Sequence, residues 1–447
     1  WMHRIASQAW FTSLIHSKRM PKSDPLQKTI QTSPWCTTRT ETGTGQRIAP
    51  RVLSVFLLIG CGQNPPNTAI EEAEADTAVP CLESLDDENP CTRDSCENGR
   101  VQHDAIVGTP AWNQCATDVT FFAMGDPQYG GGADDKNTFQ IEAMNRFPGT
   151  LWPSDFPGQD SPVVTPSGVL IAGDLTQNGR DDRLIELMPD ELGQFIQEYG
   201  LTGNDGLLRY PVYEGYGNHD YDPDEPDDAD FGDWRWWYTD DPTPAVCIVA
   251  ERNRERAGLN RIAEGMDGHY SWDWGNLHLI NVNLFPGDVP SQADENSRVR
   301  DPRHGLRFLI DDLETSVADS GRPVLIMLHY GLDTFGQESR WWTDEQRTAF
   351  REAIGDYNVI GLIHGHTHAT SHYTWEGFDV FNVGSPYYLN YNADGRGHFT
   401  VFRVTDSFMA VGDVSWSPEA EGRDPSFGGW SHVVYFDHCV APLPSCP

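Results

Sequence analysis

The sequence predicts an α/β protein built of packed layers of strands and helices, and three observations support this fold class. From about Val119 onward, short apolar runs of strand length alternate with amphipathic helical segments, which is the pattern of α/β layers. The chain has 447 residues, enough for a large buried core and for about three domains of ordinary size. Its 38% hydrophobic, 11% aromatic and 22% charged residues are typical of a globular protein and exclude a disordered or membrane-embedded one.

Five apolar runs predict the main strands, and each run leads directly into a polar cluster. These runs are 119–124, 168–172, 210–213, 323–328 and 359–363. Helices are predicted between them, for example over 304–317, where apolar residues recur at the spacing of one buried helix face. Two later runs, 379–383 and 399–404, predict closing strands. Because ligand sites of open α/β sheets lie at the carboxyl ends of strands, we expect the polar clusters to form one site.

The polar clusters contain oxygen and imidazole donors. In chain order they supply Asp126, Gln128, Asp174, Asn218, His219, Asp220, His329, His366 and His368. Because no cysteine is among them, these candidate ligands favour hard or borderline divalent metals over copper(I) or an iron–sulfur cluster. A carboxylate that bridges two such ions is the arrangement used in two-metal phosphoryl hydrolysis.

The order of these motifs resembles that of the calcineurin-like metallophosphoesterase superfamily. The superfamily pattern is Asp-x-His, Gly-Asp, Gly-Asn-His-Asp/Glu, a single His after a strand, and Gly-His-x-His. Five corresponding blocks occur here in that order between Asp126 and His368. The resemblance implies a four-layer fold over residues 116–447, with two mixed β-sheets packed as a sandwich and flanked by helices.

The resemblance also implies a role for each residue of the motifs. One divalent ion would be held by Asp126, Gln128, Asp174 and His368. A second would be held by Asp174, Asn218, His329 and His366. His219 would stabilise the phosphoryl oxygens or protonate the leaving group, with Asp220 as its acidic partner. A phosphomonoester or phosphodiester would be hydrolysed by in-line attack of a hydroxide between the metals, without a covalent enzyme intermediate.

Gln128 departs from the common pattern, which has His at this position. The side-chain oxygen of Gln is a harder ligand than an imidazole nitrogen, so this metal site should favour Mn²⁺ or Mg²⁺ over Zn²⁺. The expected cofactors are therefore two divalent ions of Mn, Fe or Zn, with Mn favoured at the Gln128 site. In the alternative arrangement Gln128 stands outside the coordination shell and a water molecule is the ligand.

The first part of the chain has a different composition and predicts export. Residues 1–60 contain eight Lys or Arg and two acids, a net charge of +6, whereas the remaining 23 basic and 65 acidic residues give −42. The apolar stretch 52–60 follows Arg51, is too short to span a bilayer and ends at Cys61, as in a signal peptide. Leu-Ile-Gly-Cys resembles the lipobox of bacterial lipoproteins, which implies lipidation of Cys61 and a location in the periplasm, outer membrane or cell surface. The alternative is a buried apolar strand.

These features divide the region before the catalytic domain into four parts. Residues 1–46 are expected to be a non-native or unstructured extension, 47–61 the lipoprotein signal peptide, 62–80 a disordered tether and 81–115 a small Cys-rich segment. Disulfides are expected in the Cys-rich segment because export implies an oxidising compartment, with zinc binding as the alternative. Cys439 and Cys446 could close a C-terminal loop, which leaves Cys247 as a free thiol or in another pairing.

The net charge of −36 limits the partners of this protein. A strongly acidic chain repels polyanions, so the expected substrate is a small phosphate ester and not a nucleic acid polymer. Contact with a membrane is expected through the lipid anchor only, and the sequence leaves the oligomeric state open. The rival hypothesis is a surface binding or adhesion lipoprotein that keeps the phosphoesterase fold without its activity.

Overall fold

The computed structural model describes residues 92–97, 100–105, 117–131, 134–177, 191–221, 244–263, 267–287, 304–333, 343–386, 395–417 and 424–436. The predicted lipidation site Cys61 and the segments 1–46, 47–61 and 62–80 lie outside these residues, as does most of the Cys-rich segment. Across the described ranges, no helix has the length and apolar character needed to cross a membrane.

The described residues form fifteen strands and six α-helices. The strands are β1 (Thr92–Glu97), β2 (Arg100–Ala105), β3 (Asp118–Met124), β4 (Val169–Ile171), β5 (Val212–Glu214), β6 (Leu259–Ile262), β7 (Tyr270–Trp274), β8 (Leu277–Asn281), β9 (Val324–Met327), β10 (Val359–His364), β11 (Ser371–Trp375), β12 (Phe378–Asn382), β13 (Gly397–Thr405), β14 (Phe408–Trp416) and β15 (Ser426–Tyr435). The helices are α1 (Asp134–Arg146), α2 (Glu191–Tyr199), α3 (Asn218–Tyr221), α4 (Pro244–Arg254), α5 (Gly305–Asp312) and α6 (Asp344–Ile354). A π-helical turn, Leu313–Val317, continues α5. Strands β1 and β2 pair with each other as an antiparallel hairpin.

The first large sheet has six strands in the order β15-β14-β13-β3-β4-β5. Strands β3, β4 and β5 are parallel, whereas β13, β14 and β15 join as antiparallel neighbours. The register pairs Met124 with Ile171 and Ile171 with Glu214. The carboxyl ends of the three parallel strands therefore lie side by side.

The second sheet has seven strands in the order β11-β12-β10-β9-β8-β7-β6. Strands β8, β9, β10 and β12 are parallel, and the outer strands are antiparallel to their neighbours. Ile363 of β10 pairs with Met327 of β9. This sheet thus also aligns the carboxyl ends of its central strands.

The two sheets pack face to face, and helices cover their outer faces. Phe121 and Ala123 of β3 belong to the apolar layer between the sheets, whereas Phe122 and Met124 belong to the cluster that includes the helices. Because both faces of the central strands are buried, those strands read as continuous apolar runs instead of alternating ones. The layers confirm the predicted fold class of two mixed sheets flanked by helices.

Of the two possibilities predicted for Cys247, a free thiol and another disulfide pairing, the structure rules out the free thiol. Cys247 lies on α4 and is disulfide-bonded, so it is not a free thiol. Cys96 of the predicted Cys-rich segment lies on β1 and is also disulfide-bonded. Cys439 and Cys446 lie outside the described residues.

A buried histidine in the second sheet makes the stability of the fold depend on pH. His278 Nδ1 lies 2.7 Å from Asp273 Oδ1, and its Nε2 lies 2.8 Å from Asp312 Oδ2. Burial alone would lower the pKa of His278, but the two carboxylates raise it above its usual value of 6.5. A raised folded-state pKa contributes stability that is complete below the unfolded pKa and is lost as the pH rises through the folded one.

We expect the free energy of unfolding to fall as the pH rises from about 6.5 through the raised pKa of His278. In His278→Gln this part of the pH dependence should disappear. Stability at the lower pH should decrease by about 3 kcal/mol, because the buried Asp312 carboxylate loses its cationic partner. Asp273 keeps its ion pair with Arg322. Urea unfolding across this pH range measures both effects. His304→Gln, whose imidazole is exposed, is the control, and equal pH slopes in wild type and His278→Gln would contradict the assignment.

Candidate metal centre

The ends of five parallel strands from both sheets meet at one edge of the sandwich. In the first sheet, β3 leads to Asp126, β4 to Asp174 and β5 to Asn218. In the second sheet, β9 leads to His329, and β10 leads to His366 and His368. The predicted ligands are far apart in the sequence, and the sheet topology brings them to the same place.

Asp174 belongs to two groups of side chains that could each hold a metal ion. Ligand atoms of Asp174, His329 and His366 all lie within 4.8 Å of one another, and so do those of Asp126, Asp174 and His368. His329 Nε2 lies 3.2 Å from Asp174 Oδ1, and His368 Nε2 lies 3.5 Å from Asp126 Oδ1. Each group contains three of the four residues expected to hold one ion, and Asp174 belongs to both groups.

Two amide side chains also belong to the predicted donor set. Asn218 Oδ1 lies 3.0 Å from His329 Nε2, which places it beside the second group. Gln128 is 2% exposed, and its Oε1 has no hydrogen-bond partner among the described residues. Asp174 Oδ2 is likewise buried without such a partner. Buried oxygens without donors are costly unless a cation satisfies them, so the residues present fit divalent metal ions.

The backbone at this edge is held in a conformation that non-glycine residues rarely adopt. Five of the seven predicted ligands have positive φ: Asp126 at 55°, Gln128 at 40°, Asp174 at 52°, His366 at 72° and His368 at 53°. Such residues cost free energy and persist where the surrounding structure enforces them, most often at functional sites. Their concentration here is a structural sign of function that does not depend on any motif.

Two of the glycines that directly precede a ligand, Gly173 and Gly365, are required by packing. A Cβ atom on Gly365 would lie 2.7 Å from Asp126 Oδ2, and one on Gly173 would lie 2.6 Å from His329 Nδ1. These contacts are shorter than atoms tolerate, so only glycine lets the strand-end loops of the two sheets approach each other. The Gly-Asp and Gly-His pairs of the sequence therefore have a steric cause.

The two buried carboxylates have pKa values shifted in opposite directions. Burial, together with the charge of Asp174, raises the pKa of Asp126 well above its usual value. Burial would also raise the pKa of Asp174, but the charges of His329 and His219 and a hydrogen bond from His329 lower it instead. Asp174 is therefore ionised and can bind a cation. A cation nearby would also stabilise the ionised form of Asp126.

The three histidines also differ in their protonation. Burial opposes the charged form of His329, but Asp174 outweighs it and raises the pKa of His329 to about 9. Burial lowers the pKa of His366 well below its usual value and that of His368 to about 4. His366 and His368 are thus neutral near pH 7, which is the form of imidazole that binds metals.

Hydrogen bonds to the backbone orient two of the ligands. His329 Nδ1 lies 2.7 Å from the Ala172 carbonyl oxygen, an N–H to O contact that turns Nε2 toward Asp174. The N–H of His366 donates to both oxygens of Asp126 at 3.0 Å. Supporting contacts of this kind fix the direction of metal ligands.

His219 lies beside the shared carboxylate, and Gln177 holds its ring. The N–H of His219 donates to Asp174 Oδ1 at 2.9 Å, and its Nδ1 lies 2.8 Å from the Gln177 carbonyl oxygen. His219 is half-buried. Gln177 was not predicted from the sequence; the one signal available was its place three residues after Asp174.

Asp220 does not have the place predicted for it. Its carboxylate accepts hydrogen bonds from the N–H groups of Leu175, Thr176 and Gly217 at 3.0, 2.9 and 2.9 Å, and from the Thr176 hydroxyl at 2.8 Å. The partner at His219 Nδ1 is the Gln177 carbonyl and not this carboxylate. The prediction of Asp220 as the acidic partner of His219 is therefore replaced by a positioning role for the loop that carries Asp174.

We expect Asp220→Asn to destabilise the protein by about 1–3 kcal/mol, because an amide presents its own donors to N–H groups that need acceptors. Metal affinity should fall as well, since the loop after Asp174 loses its anchor; about a tenfold decrease is expected. Urea unfolding of metal-free protein and a manganese titration measure the two effects. Unchanged stability together with a lost catalytic pH dependence would instead restore the predicted pairing with His219.

Comparison with known proteins gives one family and several distant structures. The model of the calcineurin-like phosphoesterase family matches residues 121–370, a range that includes all nine predicted site residues from Asp126 to His368. No curated protein sequence matches the chain significantly.

Several solved structures resemble the chain at low sequence identity. A dimetal phosphatase from Danio rerio is 13% identical, with a TM-score of 0.39, over 69% of this chain and 98% of that one. GAP50, the anchor in the inner membrane complex of Plasmodium, is 11% identical, with a TM-score of 0.36, over 69% of this chain and 88% of that one. The phosphopantetheinyl hydrolase of Mycobacterium tuberculosis is 16% identical, with a TM-score of 0.31, over 60% of this chain and 90% of that one.

Proposed function

Because the chain belongs to the calcineurin-like phosphoesterase family, we propose that it is a dinuclear, metal-dependent hydrolase of a small phosphate ester. One observation carries the proposal: Asp174 is shared by two groups of buried ligands, each of the right chemistry for a divalent ion. A phosphoesterase with candidate metal-binding residues follows from the family and the site alone. The number of ions, the substrate and the reaction course are the proposed parts.

The donor set determines which residues would hold each ion. Asp126, Gln128, Asp174 and His368 form one site, and Asp174, Asn218, His329 and His366 form the other. Bound divalent ions would supply Lewis acidity, which neutralises charge on phosphoryl oxygens and lowers the pKa of water. Mn²⁺, Fe²⁺ and Zn²⁺ all accept this mixture of oxygen and imidazole donors, and Mn²⁺ is favoured beside the Gln128 oxygen.

His219 is the residue proposed to act on the ester itself. Since its Nδ1 contacts the Gln177 carbonyl, Nδ1 carries a proton, and Nε2 is the atom left for the substrate. A protonated ring can donate from Nε2 to a phosphoryl oxygen or to the leaving oxygen as the P–O bond breaks.

The proposed substrate is a small ester outside the cytoplasm. The surplus of acidic residues supports a small anion over a nucleic acid polymer, which long-range repulsion would keep away. The lipobox-like sequence that ends at Cys61 supports export and a lipid anchor. If Cys61→Ser left processing and membrane association unchanged in a bacterial host, the anchor would be ruled out.

Hydrolysis of p-nitrophenyl phosphate and of its bis-ester tests the proposed activity. The protein should hydrolyse at least one of them after loading with Mn²⁺, Fe²⁺ or Zn²⁺, and the ratio of the two rates identifies a monoesterase or a diesterase. Absence of turnover with all three metals would contradict the proposal and favour the rival hypothesis of a surface binding or adhesion protein.

Gln128→His tests the role of the one unusual ligand. An imidazole nitrogen in place of the amide oxygen should shift metal preference toward Zn²⁺, raising zinc affinity relative to manganese by about tenfold or more. Competition of the two ions, followed by metal analysis of the protein, measures the shift. An unchanged preference would place Gln128 outside the coordination shell, with water as the ligand.

A further inference from the structure

A second group of metal-binding side chains lies at the edge where the two sheets meet. It consists of His372, Asp379 and His432, whose ligand atoms all lie within 4.8 Å of one another. The chemistry of the candidate metal centre uses none of the three.

The topology explains how residues so distant in sequence come together. His372 lies on β11 and Asp379 on β12, two antiparallel neighbours at one edge of the seven-stranded sheet. His432 lies on β15, the edge strand of the six-stranded sheet. The group therefore spans both sheets at the open side of the sandwich, where no backbone hydrogen bonds join the described strands of one sheet to those of the other.

The donor atoms converge on one carboxylate oxygen. His372 Nε2 lies 2.7 Å and His432 Nε2 lies 3.1 Å from Asp379 Oδ1. Three ligands of a tetrahedral zinc ion, each bound at about 2.0–2.2 Å, lie about 3.3 Å apart. The two nitrogen–oxygen distances are close to this value. Because the two rings are stacked, they must also turn before both Nε2 atoms can face one ion.

The two imidazoles of the group lie against each other and contact the same carboxylate. Their rings are stacked with centroids 3.7 Å apart, so that two protonated rings would repel each other strongly. His432 Nε2 is buried and makes no hydrogen bond among the described residues, although Asp379 Oδ1 is near. His372 Nε2 hydrogen-bonds to the Asp379 carboxylate, so it must pass its proton to Nδ1 before it can bind a metal. With both imidazoles neutral and one carboxylate, the site then has a charge of −1, which a divalent cation would neutralise.

The surroundings leave one side of the group accessible. The side chains of His372, Asp379 and His432 are 20%, 21% and 26% exposed, so water can reach a fourth position. Phe381 and Trp430 flank His372, with ring centroids 5.2 and 6.3 Å from its own. Three protein ligands, an open position and an apolar wall are typical of a zinc site.

We propose that His372, Asp379 and His432 form an additional binding site for a divalent transition metal of borderline softness, such as Zn²⁺. An ion held there links the edge strands of the two sheets. It also fixes β11, which begins three residues after the ligand His368. Because the unfolded chain lacks this arrangement of ligands, binding stabilises the folded state.

Zinc binding by the metal-free full-length chain tests the site, with His432→Gln as the variant and His304→Gln as the control. After equilibration with Zn²⁺ alone, wild type and the control should each contain one more zinc ion per chain than His432→Gln. Zinc should raise the thermal midpoint of wild type by about 5 °C more than that of the variant. Hydrolysis of p-nitrophenyl phosphate should be the same in both, which separates this site from the candidate metal centre.

Equal zinc content and equal thermal shifts in wild type and His432→Gln would overturn the proposal and leave a cluster of hydrogen bonds. If His432→Gln failed to fold without metal, His372→Gln provides the same comparison from the other sheet. If His372→Gln folds normally and loses the zinc ion, the result supports the site. If it folds normally and retains the zinc ion, the result overturns the proposal. Neither outcome depends on whether the protein hydrolyses phosphate esters.

Discussion

Replacing Asp174 with Asn should lower kcat/KM for phosphate ester hydrolysis by on the order of 10³-fold or more. Asp174 is the one side chain shared by both ligand groups, so its charge contributes to the binding of both ions. Asn keeps the size of the side chain and can still accept the hydrogen bond from the His219 N–H. The effect therefore reports the lost charge and not a lost contact.

Metal analysis should show the same change. Asp174→Asn is expected to retain fewer divalent ions at the centre than wild type after equilibration with Mn²⁺. Asp311→Asn, which removes an exposed carboxylate whose side chain is 44% exposed, should leave both activity and metal content unchanged. If Asp174→Asn kept wild-type activity and metal content, the shared-ligand arrangement would be wrong.

Replacing His219 with Gln should lower kcat by about 10²–10⁴-fold while leaving the bound metal unchanged. His219 is beside Asp174 but outside both ligand groups, and its Nε2 is the ring atom left for the substrate. The loss should be greater for an alkyl phosphate than for p-nitrophenyl phosphate, because an alkoxide needs a proton to leave and p-nitrophenolate does not.

Comparison of the two esters distinguishes the two roles foreseen for His219. An equal loss for both esters would indicate stabilisation of the phosphoryl oxygens instead of protonation of the leaving group. Reduced metal content in His219→Gln would contradict both roles and make His219 a ligand. Activity that is unchanged with both esters would remove His219 from the mechanism.

The central strands could be predicted from the sequence because burial on both faces makes them apolar throughout. The runs at 119–124, 323–328 and 359–363 correspond to β3, β9 and β10. Strand β15 was not predicted. It lies at a sheet edge, none of its ten residues is buried, and it contains Gly428 and Gly429. Its stability comes from pairing with β14, which no local pattern reveals.

The candidate ligands were predicted because each follows a strand in a fixed motif, but the contacts around them were not. Asp220 follows His219 in the chain, yet the short helix α3 directs its carboxylate to Leu175, Thr176 and Gly217. Gln177 holds His219 through its backbone carbonyl, an atom that every residue type has. The group at His372, Asp379 and His432 depends on two sheet edges meeting, which follows from topology and not from spacing.

The most direct test of the account is low-temperature electron paramagnetic resonance of the protein loaded with about two equivalents of Mn²⁺. Two ions that share Asp174 should give the multiline spectrum of an exchange-coupled pair, and Asp174→Asn should lose it. The measurement is repeated in His432→Gln so that manganese at the additional site does not contribute. A spectrum of isolated Mn²⁺ ions alone, unchanged by Asp174→Asn, would contradict the dinuclear centre.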